Sequence, residues 1–377
     1  MDFRLSDEQR QFADSLRRWV EKDYTFDNRK KIIYSDTGVS ESAYKTLVEL
    51  GCLALAVPEE SGGLGGSSVD MMIVMKELGR GLVVEPYFAT VLGAQFLRQT
   101  GGGPLLEHVA SGQLKLACAL NEKGAGHELF NITTSAQAAG DDYVITGEKT
   151  VVIHGGQADG YIVTARSSGD QRDKSGISLF YVPASALGVS TRKYRTFDGQ
   201  RAADVVFTQV KVPKSGLLGT AGQAWETVDA VADYGVTLLC SEAVGAMETA
   251  NSLTLEYLKT RKQFDVPIGT FQVLQHRMAD MLIHLEQARS ITTLAVVKVE
   301  TAGAEERRKT VSAAKVRVGQ AMKFIGQQSV QMHGGMGMTN EMSISHYFKR
   351  LTAIEMTLGN TDHHLSRFIA QPSFSVV

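Results

Sequence analysis

The sequence predicts an α+β protein built from three consecutive regions: an N-terminal helical domain, a middle antiparallel β domain and a C-terminal four-helix bundle. Two observations lead to this prediction. Apolar residues recur every three or four positions towards both ends of the 377-residue chain, whereas short β-branched runs fill its middle. We place the boundaries of the three domains at 1–115, 116–215 and 216–377.

The N-terminal region begins with a helix signal. Ser6 precedes an apolar-periodic run, and Gln9 follows it at the spacing of a capping box. The stretch VPEESGGLGGSS (57–68) is rich in Gly and Pro, which predicts a loop between helices. The run SSVDMMIVMKELGRGL (67–82) then predicts another helix that ends at glycine.

The middle region consists of β-branched runs separated by Gly, Asp and Ser. This texture predicts an antiparallel β domain. The runs are LKLACAL (114–120), DDYVITGEKTVVI (141–153), DGYIVTAR (159–166), GISLFYVP (176–183) and ADVVFTQVKV (203–212).

The C-terminal region contains three long amphipathic stretches, at 225–264, 273–300 and 308–335, followed by a final helix. These predict a helical bundle. Apolar residues occupy more than one face of the stretches, which indicates that part of their surface is buried in an oligomer.

Composition and charge exclude several classes of protein. Hydrophobic residues make up 43% of the chain and charged residues 21%, with a formal net charge of −2. This balance argues against electrostatic binding to nucleic acid or to an acidic membrane. No run of 18 apolar residues and no signal peptide is evident, so we expect a cytoplasmic protein. The three cysteines, Cys52, Cys118 and Cys240, are too widely spaced to predict a metal site.

Five segments, in order, carry a resemblance to a known family. The most specific is YLKTRKQFDVPIGTFQVLQHRMADM (257–281), which closely resembles the R-x-x-F-G-x-P-I-x-x-F-Q…L-A-D-M signature of the acyl-CoA dehydrogenases. The others are LGCLALAVPEESGGLGG (50–66), CALNEKGAGHE (118–128), GEKTVVIHGGQADGYIVTA (147–165) and QMHGGMGMTNE (331–341). The chain is most similar to the small-subunit type of this family, as in pimeloyl-CoA dehydrogenase.

The resemblance implies FAD as the cofactor. It assigns a pyrophosphate cation to Arg261 and adenine packing to Phe264, while Gln272 and the Gln331-to-Gly335 turn would reach the cofactor of a neighbouring subunit. The complete set of cofactor positions that it implies is Arg261, Gln263, Phe264, Phe271, Gln272, Gln331, Gly334, Gly335, Asn360, Asp362, Leu120, Asn121, Gly126, His127 and Ile153.

The loop of the β domain that should face the flavin departs from the family pattern. Lys123 replaces the usual proline, His127 the usual serine, and Val151-Val152-Ile153 the usual Trp-Ile-Thr. The resemblance therefore implies that the flavin ring has lost an aromatic wall and a hydroxyl partner in this chain.

The family reaction needs a glutamate that removes the α-proton of an acyl-CoA, and hydrogen bonds to the thioester oxygen from a flavin hydroxyl and from that glutamate's own backbone N–H. The position that matches the glutamate is Leu358, followed by Gly359 and Asn360. The alternate position of the base, on the long helix after the β domain, is Gly235. Neither carries a carboxylate.

Two other carboxylates remain open as bases. Glu355 lies three residues before Leu358, although an ordinary exposed helix position is the better explanation for it. Asp233 matches a family position near CoA, but the arginine that usually follows is Val236. The resemblance implies substrate contacts at Asp233, His127 and Gly359. Glu242 shares a helix face with Gly235 but is about 10 Å away along the axis, too far for direct proton transfer.

Adjacent histidines, His363 and His364, suggest a metal site at first sight. Neighbouring side chains on a helix diverge by about 100°, so one metal would rarely bind both. We expect no metal, and a helix that starts near Thr361 or Asp362 with the histidines packed against its surroundings.

Three functional hypotheses follow. The first is a base-lacking subunit of a heteromeric acyl-CoA dehydrogenase that acts on a fatty acyl or dicarboxylyl thioester. The second is a self-sufficient homo-oligomer with a non-standard base, and the third is a non-catalytic acyl-CoA or flavin-binding protein. The resemblance implies a tetramer, formed with itself or with a homologous large subunit, and electron-transfer flavoprotein as electron acceptor. The acyl chain stays open.

Overall fold

The structure of the protein is a computed structural model that describes residues 5–372. Its internal contacts divide the chain into two compact units. The first, the helical unit, comprises Met1–Lys30, Ser68–Val83 and Asp233–Val377, and the second, the β unit, comprises Lys31–Ser67 and Val84–Ala232. Each unit combines segments that are distant in the sequence.

Eleven α-helices and ten strands occur in the described chain, with five short 3-10 helices between them. The helices are α1 Asp7–Lys22, α2 Phe26–Ile33, α3 Glu41–Glu49, α4 Ser68–Gly81, α5 Tyr87–Thr100, α6 Gly103–Ala110, α7 Trp225–Thr260, α8 Gln272–Thr301, α9 Ala304–His333, α10 Ser343–Met356 and α11 Thr361–Ile369. The strands are β1 Leu116–Ala119, β2 Ser135–Ala139, β3 Asp142–Ile153, β4 Gly160–Arg166, β5 Ile177–Pro183, β6 Val189–Arg195, β7 Arg201–Pro213, β8 Leu217–Leu218, β9 Lys262–Gln263 and β10 Val266–Pro267.

The first helix begins as its sequence predicts. Ser6 is the N-cap of α1: its Oγ accepts the Gln9 N–H at 3.1 Å, and Gln9 Oε1 accepts the Ser6 N–H at 3.0 Å. This reciprocal pair satisfies two backbone donors that the first helical turn leaves without intrahelical partners. The predicted capping box is therefore confirmed.

In the β unit, one sheet of eight strands has the order β6-β7-β3-β2-β4-β5-β8, with β1 paired to β4. All pairs are antiparallel except β1 with β4 and a single residue pair between β2 and β4. The predicted β domain is confirmed. It differs from the predicted antiparallel sheet in these parallel pairs. Three strands of this sheet, β2, β6 and β8, were not predicted. SAQAA and VSTRKYR lack the apolar runs used to find strands, and β8 is only two residues long.

In the helical unit, α9 packs against α8, α10 and α11. The final helix of the predicted bundle is two helices, α10 and α11, separated by a turn. Helices α4 and α7 approach closely at two glycines, since a Cβ at Gly79 would lie 2.1 Å from the Glu242 carbonyl oxygen and one at Gly245 1.9 Å from the Lys76 carbonyl oxygen. Larger residues at either position would force these helices apart.

Candidate active site

The turn between α10 and α11 contains Leu358, the position that matches the family's catalytic glutamate. Helix α10 ends at Met356, Leu358 adopts a left-handed conformation with φ 53°, and Gly359 has φ 100°. Asn360 then caps α11, since its Oδ1 accepts the His363 N–H at 2.9 Å. The predicted helix start is confirmed, and the Asn360 side chain serves the helix at this position.

Two buried side chains bind the carbonyl groups of this turn. Lys315 Nζ donates to the carbonyl oxygens of Ile354 at 2.6 Å and Thr357 at 2.9 Å. Its complete burial lowers the pKa of the Lys315 ammonium to about 8, because a charge without water is costly. Lys315 was not singled out from the sequence, where it looks like one of many helix lysines.

His364 binds the next carbonyl. Its Nε2 lies 2.9 Å from the Leu358 carbonyl oxygen and its Nδ1 3.4 Å from Ser312 Oγ. A carbonyl only accepts hydrogen bonds, so Nε2 carries the proton and Nδ1 accepts. Burial holds the pKa of His364 well below its ordinary value, which keeps the ring neutral. Both nitrogens thus face protein groups, and the ring of His363 stands edge-on to it.

Glu355 is engaged by the same turn. Its Oε1 accepts the Thr361 N–H at 2.7 Å, which satisfies an unpaired donor in the first turn of α11. The carboxylate also lies at the favourable, positive end of that helix. Glu355 is half-buried rather than the exposed helix residue considered as its alternative role. The geometry gives this carboxylate a capping task.

Asp233 is the most enclosed of the candidate carboxylates, with 1% of its surface exposed. Its Oδ2 lies 2.8 Å from Arg307 Nε and its Oδ1 2.5 Å from Arg367 Nη1. Glu242, farther along α7, forms a two-pronged ion pair with Arg350 at 2.6 and 2.7 Å. The arginines occupy the carboxylate oxygens that a base would need to reach a proton.

The segment from Arg261 to Gln272 is largely exposed, unlike the turn between α10 and α11. Strands β9 and β10 form a short hairpin whose turn residues, Phe264 and Asp265, have φ values of 53° and 64°. The Phe264 side chain is 86% exposed and meets only the edge of Phe271, at a centroid distance of 6.2 Å. Arg261, Gln263 and Gln272 are exposed as well.

A second predicted cofactor segment follows α9. Gly334 has φ 62°, and no atom of the described chain lies within 4 Å of a Cβ built on Gly334 or Gly335. Gln331 is exposed beside them. Open space over two glycines leaves backbone groups accessible to a ligand.

Two aromatic side chains bring these segments to the same end of the helical unit. The rings of Tyr257 and His333 stack at a centroid distance of 4.3 Å. The Tyr257 carbonyl accepts the Arg261 N–H at 2.8 Å, and His333 directly precedes Gly334. Neither aromatic was identified from the sequence, because each looks like ordinary core and their pairing joins two distant helices.

The β-unit loop that includes Asn121, Gly126 and His127 is fixed at its base. Leu120 is buried, and the Asn121 carbonyl accepts the Thr150 N–H at 2.9 Å. Towards the tip, Gly126 is exposed with φ 63°, and His127 is half-buried. Ile153, on the neighbouring strand β3, is half-buried.

An ion pair anchors this loop and was missed from the sequence. Lys149 Nζ lies 2.7 Å from Glu122 Oε1, and Glu122 also accepts the N–H groups of Thr133 at 2.7 Å and Thr134 at 3.1 Å. Although burial opposes the charge, these partners lower the pKa of Glu122 to about 2. Glu122 and Lys149 both lie within segments that resemble the family, and this was the only feature of the sequence that could have pointed to them.

The exposed groups of the helical unit fit one part of FAD. Its pyrophosphate needs a cation and close backbone approach, which Arg261 and the Gly334-Gly335 turn offer. Phe264 offers an unpacked aromatic face to an adenine. On the β unit, Val151 stands 48% exposed where an aromatic would serve as a wall for the flavin ring. The residues present therefore fit the adenine and pyrophosphate of FAD better than its flavin ring.

The two remaining predicted positions, Asp362 and Gly359, differ in exposure. Asp362 is exposed in the first turn of α11. A Cβ on Gly359 would lie 2.6 Å from His363 Cδ2 and 2.7 Å from His364 Nε2, so the histidines require glycine there.

Among residues 5–372, no group of three His, Cys, Asp or Glu is placed to hold a metal ion. Within the same range, no helix is long and apolar enough to cross a membrane.

Comparisons with known proteins agree along the chain. Three family models match in order: the acyl-CoA dehydrogenase N-terminal domain at residues 6–103, the middle domain at 117–210 and the C-terminal domain at 223–371. A short-chain specific acyl-CoA dehydrogenase from rat mitochondria (Rattus norvegicus) is 29% identical over 336 residues, which cover 85% of this chain and 80% of that protein.

Solved structures are similar over nearly their whole length. The ChsE4-ChsE5 complex from Mycobacterium tuberculosis contains a chain with TM-score 0.89 and 25% identity, covering 100% of both chains. A Tcur3481-Tcur3483 steroid ACAD variant matches with TM-score 0.88 and 27% identity, covering 98% and 99%. A structure described as an electron transferring flavoprotein of Acidaminococcus fermentans matches with TM-score 0.87 and 25% identity, covering 98% of each chain.

Proposed function

The chain belongs to the acyl-CoA dehydrogenase family, and we propose that it is the base-lacking subunit of a heteromeric enzyme of this family. Members of the family are FAD-dependent flavoproteins that oxidise a CH–CH bond of an acyl-CoA. The proposed chain contributes cofactor contacts and framework, whereas a homologous large subunit supplies the glutamate.

The observation that carries this proposal is the state of the candidate bases. Leu358 occupies the position of the family glutamate, in a turn whose carbonyls are bound by Lys315 and His364. Glu355 caps α11, and Asp233 is enclosed by two arginines. A base needs a carboxylate oxygen within hydrogen-bond reach of the α-proton. Asp233 would first have to give up an ion pair, and Oε1 of Glu355 its hydrogen bond to the Thr361 N–H.

The exposed cofactor segments support a shared site. Arg261, Phe264 and Gln272 lie on the surface of the helical unit, at the end where the Gly334-Gly335 turn is also open. Arg261 is exposed, and Phe264 is 86% exposed with a single ring contact, to Phe271, so both suit a cofactor held jointly with a neighbour.

Large apolar side chains within and next to these segments are exposed. Exposed apolar residues near a binding segment are typical of subunit contacts. They are Phe264, Val266, Phe271, Val273, Met336 and Met338.

Two of the similar structures favour a heteromer over a homo-oligomer. Both the ChsE4-ChsE5 complex and the Tcur3481-Tcur3483 steroid ACAD carry two component names. We take from them the architecture of a two-component enzyme. Neither identifies the acyl group that this chain would meet.

The roles of this chain follow from its own residues. When bound, FAD supplies the hydride acceptor for the β-hydrogen of the substrate. Arg261 would neutralise pyrophosphate charge, and Phe264 would cover the adenine. The Leu358 N–H has no hydrogen-bond partner within residues 5–372, so it is available to a thioester oxygen. Leu358 itself carries no group that could take the α-proton. Electron-transfer flavoprotein is the proposed electron acceptor.

The test is to purify the chain alone, saturate it with FAD and record the flavin absorbance under anaerobic conditions with a panel of acyl-CoAs. We expect either little retained flavin or flavin that no acyl-CoA bleaches. Addition of a glutamate-bearing large subunit should restore both retention and bleaching. Stoichiometric flavin that bleaches in the chain alone would contradict the proposal and favour a self-sufficient enzyme.

A matched pair of variants identifies the base in that second case. Glu355→Gln keeps an oxygen that can cap α11 but removes the basic carboxylate. Asp233→Asn also removes the carboxylate, but it keeps one acceptor oxygen for the two arginines, so its folding is checked by circular dichroism. Loss of bleaching in only one of them would assign the base. A colourless protein that binds acyl-CoA and is unaffected by any large subunit would instead indicate a non-catalytic binding protein.

A further inference from the structure

Two consecutive carbonyl groups of the α10–α11 turn face buried donors. Lys315 Nζ binds the Thr357 carbonyl at 2.9 Å, and His364 Nε2 binds the Leu358 carbonyl at 2.9 Å. Both donor residues are at most 2% exposed. The oxygen side of two consecutive peptide groups is therefore fixed towards the interior of the helical unit.

A planar trans peptide places its N–H opposite its carbonyl oxygen. Holding the Thr357 oxygen inward consequently directs the Leu358 N–H away from the interior, and holding the Leu358 oxygen inward does the same for the Gly359 N–H. Neither N–H has a partner among residues 5–372. Leu358 has φ 53°, the conformation that lets successive N–H groups point to one side.

The donors are themselves fixed in one orientation. Ser312 Oγ lies 3.4 Å from His364 Nδ1 and 3.3 Å from Arg367 Nη1, and Arg367 in turn binds Asp233. Because Arg367 can only donate, the Ser312 hydroxyl is left to donate to Nδ1. The proton of His364 therefore stays on Nε2, facing the Leu358 carbonyl.

We propose that His364 and Lys315 are positioning residues that aim the Leu358 N–H at the thioester oxygen of a bound acyl-CoA. This inference rests on the proposed function and deepens it: the chain has lost the group that removes the α-proton but retains the donor that recognises the thioester carbonyl. One of the two adjacent histidines, His364, thus serves a thioester site through the backbone.

The test compares two ligands that differ only in the carbonyl oxygen. Octanoyl-CoA and S-octyl-CoA, and the butyryl and butyl pair, are titrated calorimetrically into the FAD-saturated full chain. One directed hydrogen bond should make the thioester bind about 5- to 10-fold tighter than the thioether. A general loosening of the fold would weaken both ligands equally and leave this ratio unchanged.

Three histidine variants isolate the contact. His364→Gln places an amide N–H near the position of Nε2, so the ratio should survive. His364→Asn reaches only the position of Nδ1, so the ratio should fall towards 1 while the thioether affinity is kept. His363→Leu is the comparison variant, since the hydrogen bond to the Leu358 carbonyl comes from His364. Lys315→Met should lower the ratio as His364→Asn does.

The inference is overturned if the wild-type ratio is close to 1, if neither ligand pair binds, or if His364→Asn retains the full ratio. These outcomes are separate from failure of the proposed function, which shows as bleaching of wild-type flavin. If bleaching occurs, the Gln and Asn variants are compared by KM and kcat. Loss of kcat in Asn alone then supports positioning, and equal values for both contradict it.

Discussion

The Arg261–Gln272 segment and the Met356–Asp362 turn belong to the same helical unit but are completed to different degrees by the folded chain. In the first, Phe264 is 86% exposed and its flanking polar groups face solvent. In the second, the Thr357 and Leu358 carbonyls, the Glu355 carboxylate and the His364 imidazole have protein partners. An open segment can accept a cofactor or a subunit, whereas a closed turn can change its chemistry only by substitution.

The largest expected effect comes from substitution in the closed turn. Leu358→Glu should introduce the missing base at a position whose backbone is already held by Lys315 and His364. A positioned base contributes about 10²- to 10⁴-fold, so the FAD-saturated variant should be bleached by acyl-CoA at least about 100-fold faster than Leu358→Gln. Anaerobic stopped-flow absorbance measures this. Equal rates for the Glu and Gln variants would mean that the turn is no longer shaped for catalysis.

Asp233→Ala should produce the largest loss of stability in the closed part. It leaves Arg307 and Arg367 without the carboxylate that they share, at a cost of about 3–5 kcal/mol in the free energy of unfolding. Urea denaturation followed by circular dichroism measures it. The matched control, Glu256→Ala, breaks the exposed pair with Lys259 and should cost less than about 1 kcal/mol. Similar losses in both variants would contradict the contrast between the segments.

Acid should reveal the anchor of the β-unit loop. Glu122 has a folded pKa of about 2 against an ordinary value of about 4.5, so the folded state binds fewer protons than the unfolded state. The resulting stability is present above pH 4.5 and lost as the pH falls towards 2, by up to about 3 kcal/mol. Unfolding free energies measured across this range should lose that slope in Glu122→Gln. An unchanged slope would assign the acid sensitivity to other carboxylates.

The smallest effect on stability is expected in the open segment. Phe264→Ser removes a side chain that packs only against the edge of Phe271, so the free energy of unfolding should change by less than about 0.5 kcal/mol. FAD retention in the assembled enzyme should nevertheless fall several-fold, as measured by flavin absorbance after gel filtration. A large drop in Tm with normal flavin content would show that the hairpin serves the fold instead.

Much of the architecture could be predicted from local patterns. The capping box at Ser6, the long helix α7 and the helix start at Thr361 all depend on residues a few positions apart, which the sequence displays directly. Strand β6 was missed for the converse reason: its exposed, charged residues form a strand only because β7 pairs with it. Propensity yields to such tertiary pairing.

The candidate site divides in the same way. The sequence alone showed that positions 358 and 235 carry no carboxylate, and its motifs indicated the family. It could not show what the remaining carboxylates do. Asp233 meets partners 74 and 134 residues away, and Tyr257 stacks on His333 across two helices.

By itself, the sequence determined the order of the helical, β and helical regions, the family and the absence of a glutamate at position 358. Only the tertiary structure decided that Glu355 caps a helix, that Asp233 is enclosed by arginines, and that Lys315 and His364 bind the turn. The physical reason is that composition and spacing act within a few residues, whereas the partner of a buried polar group is set by which distant segments pack together.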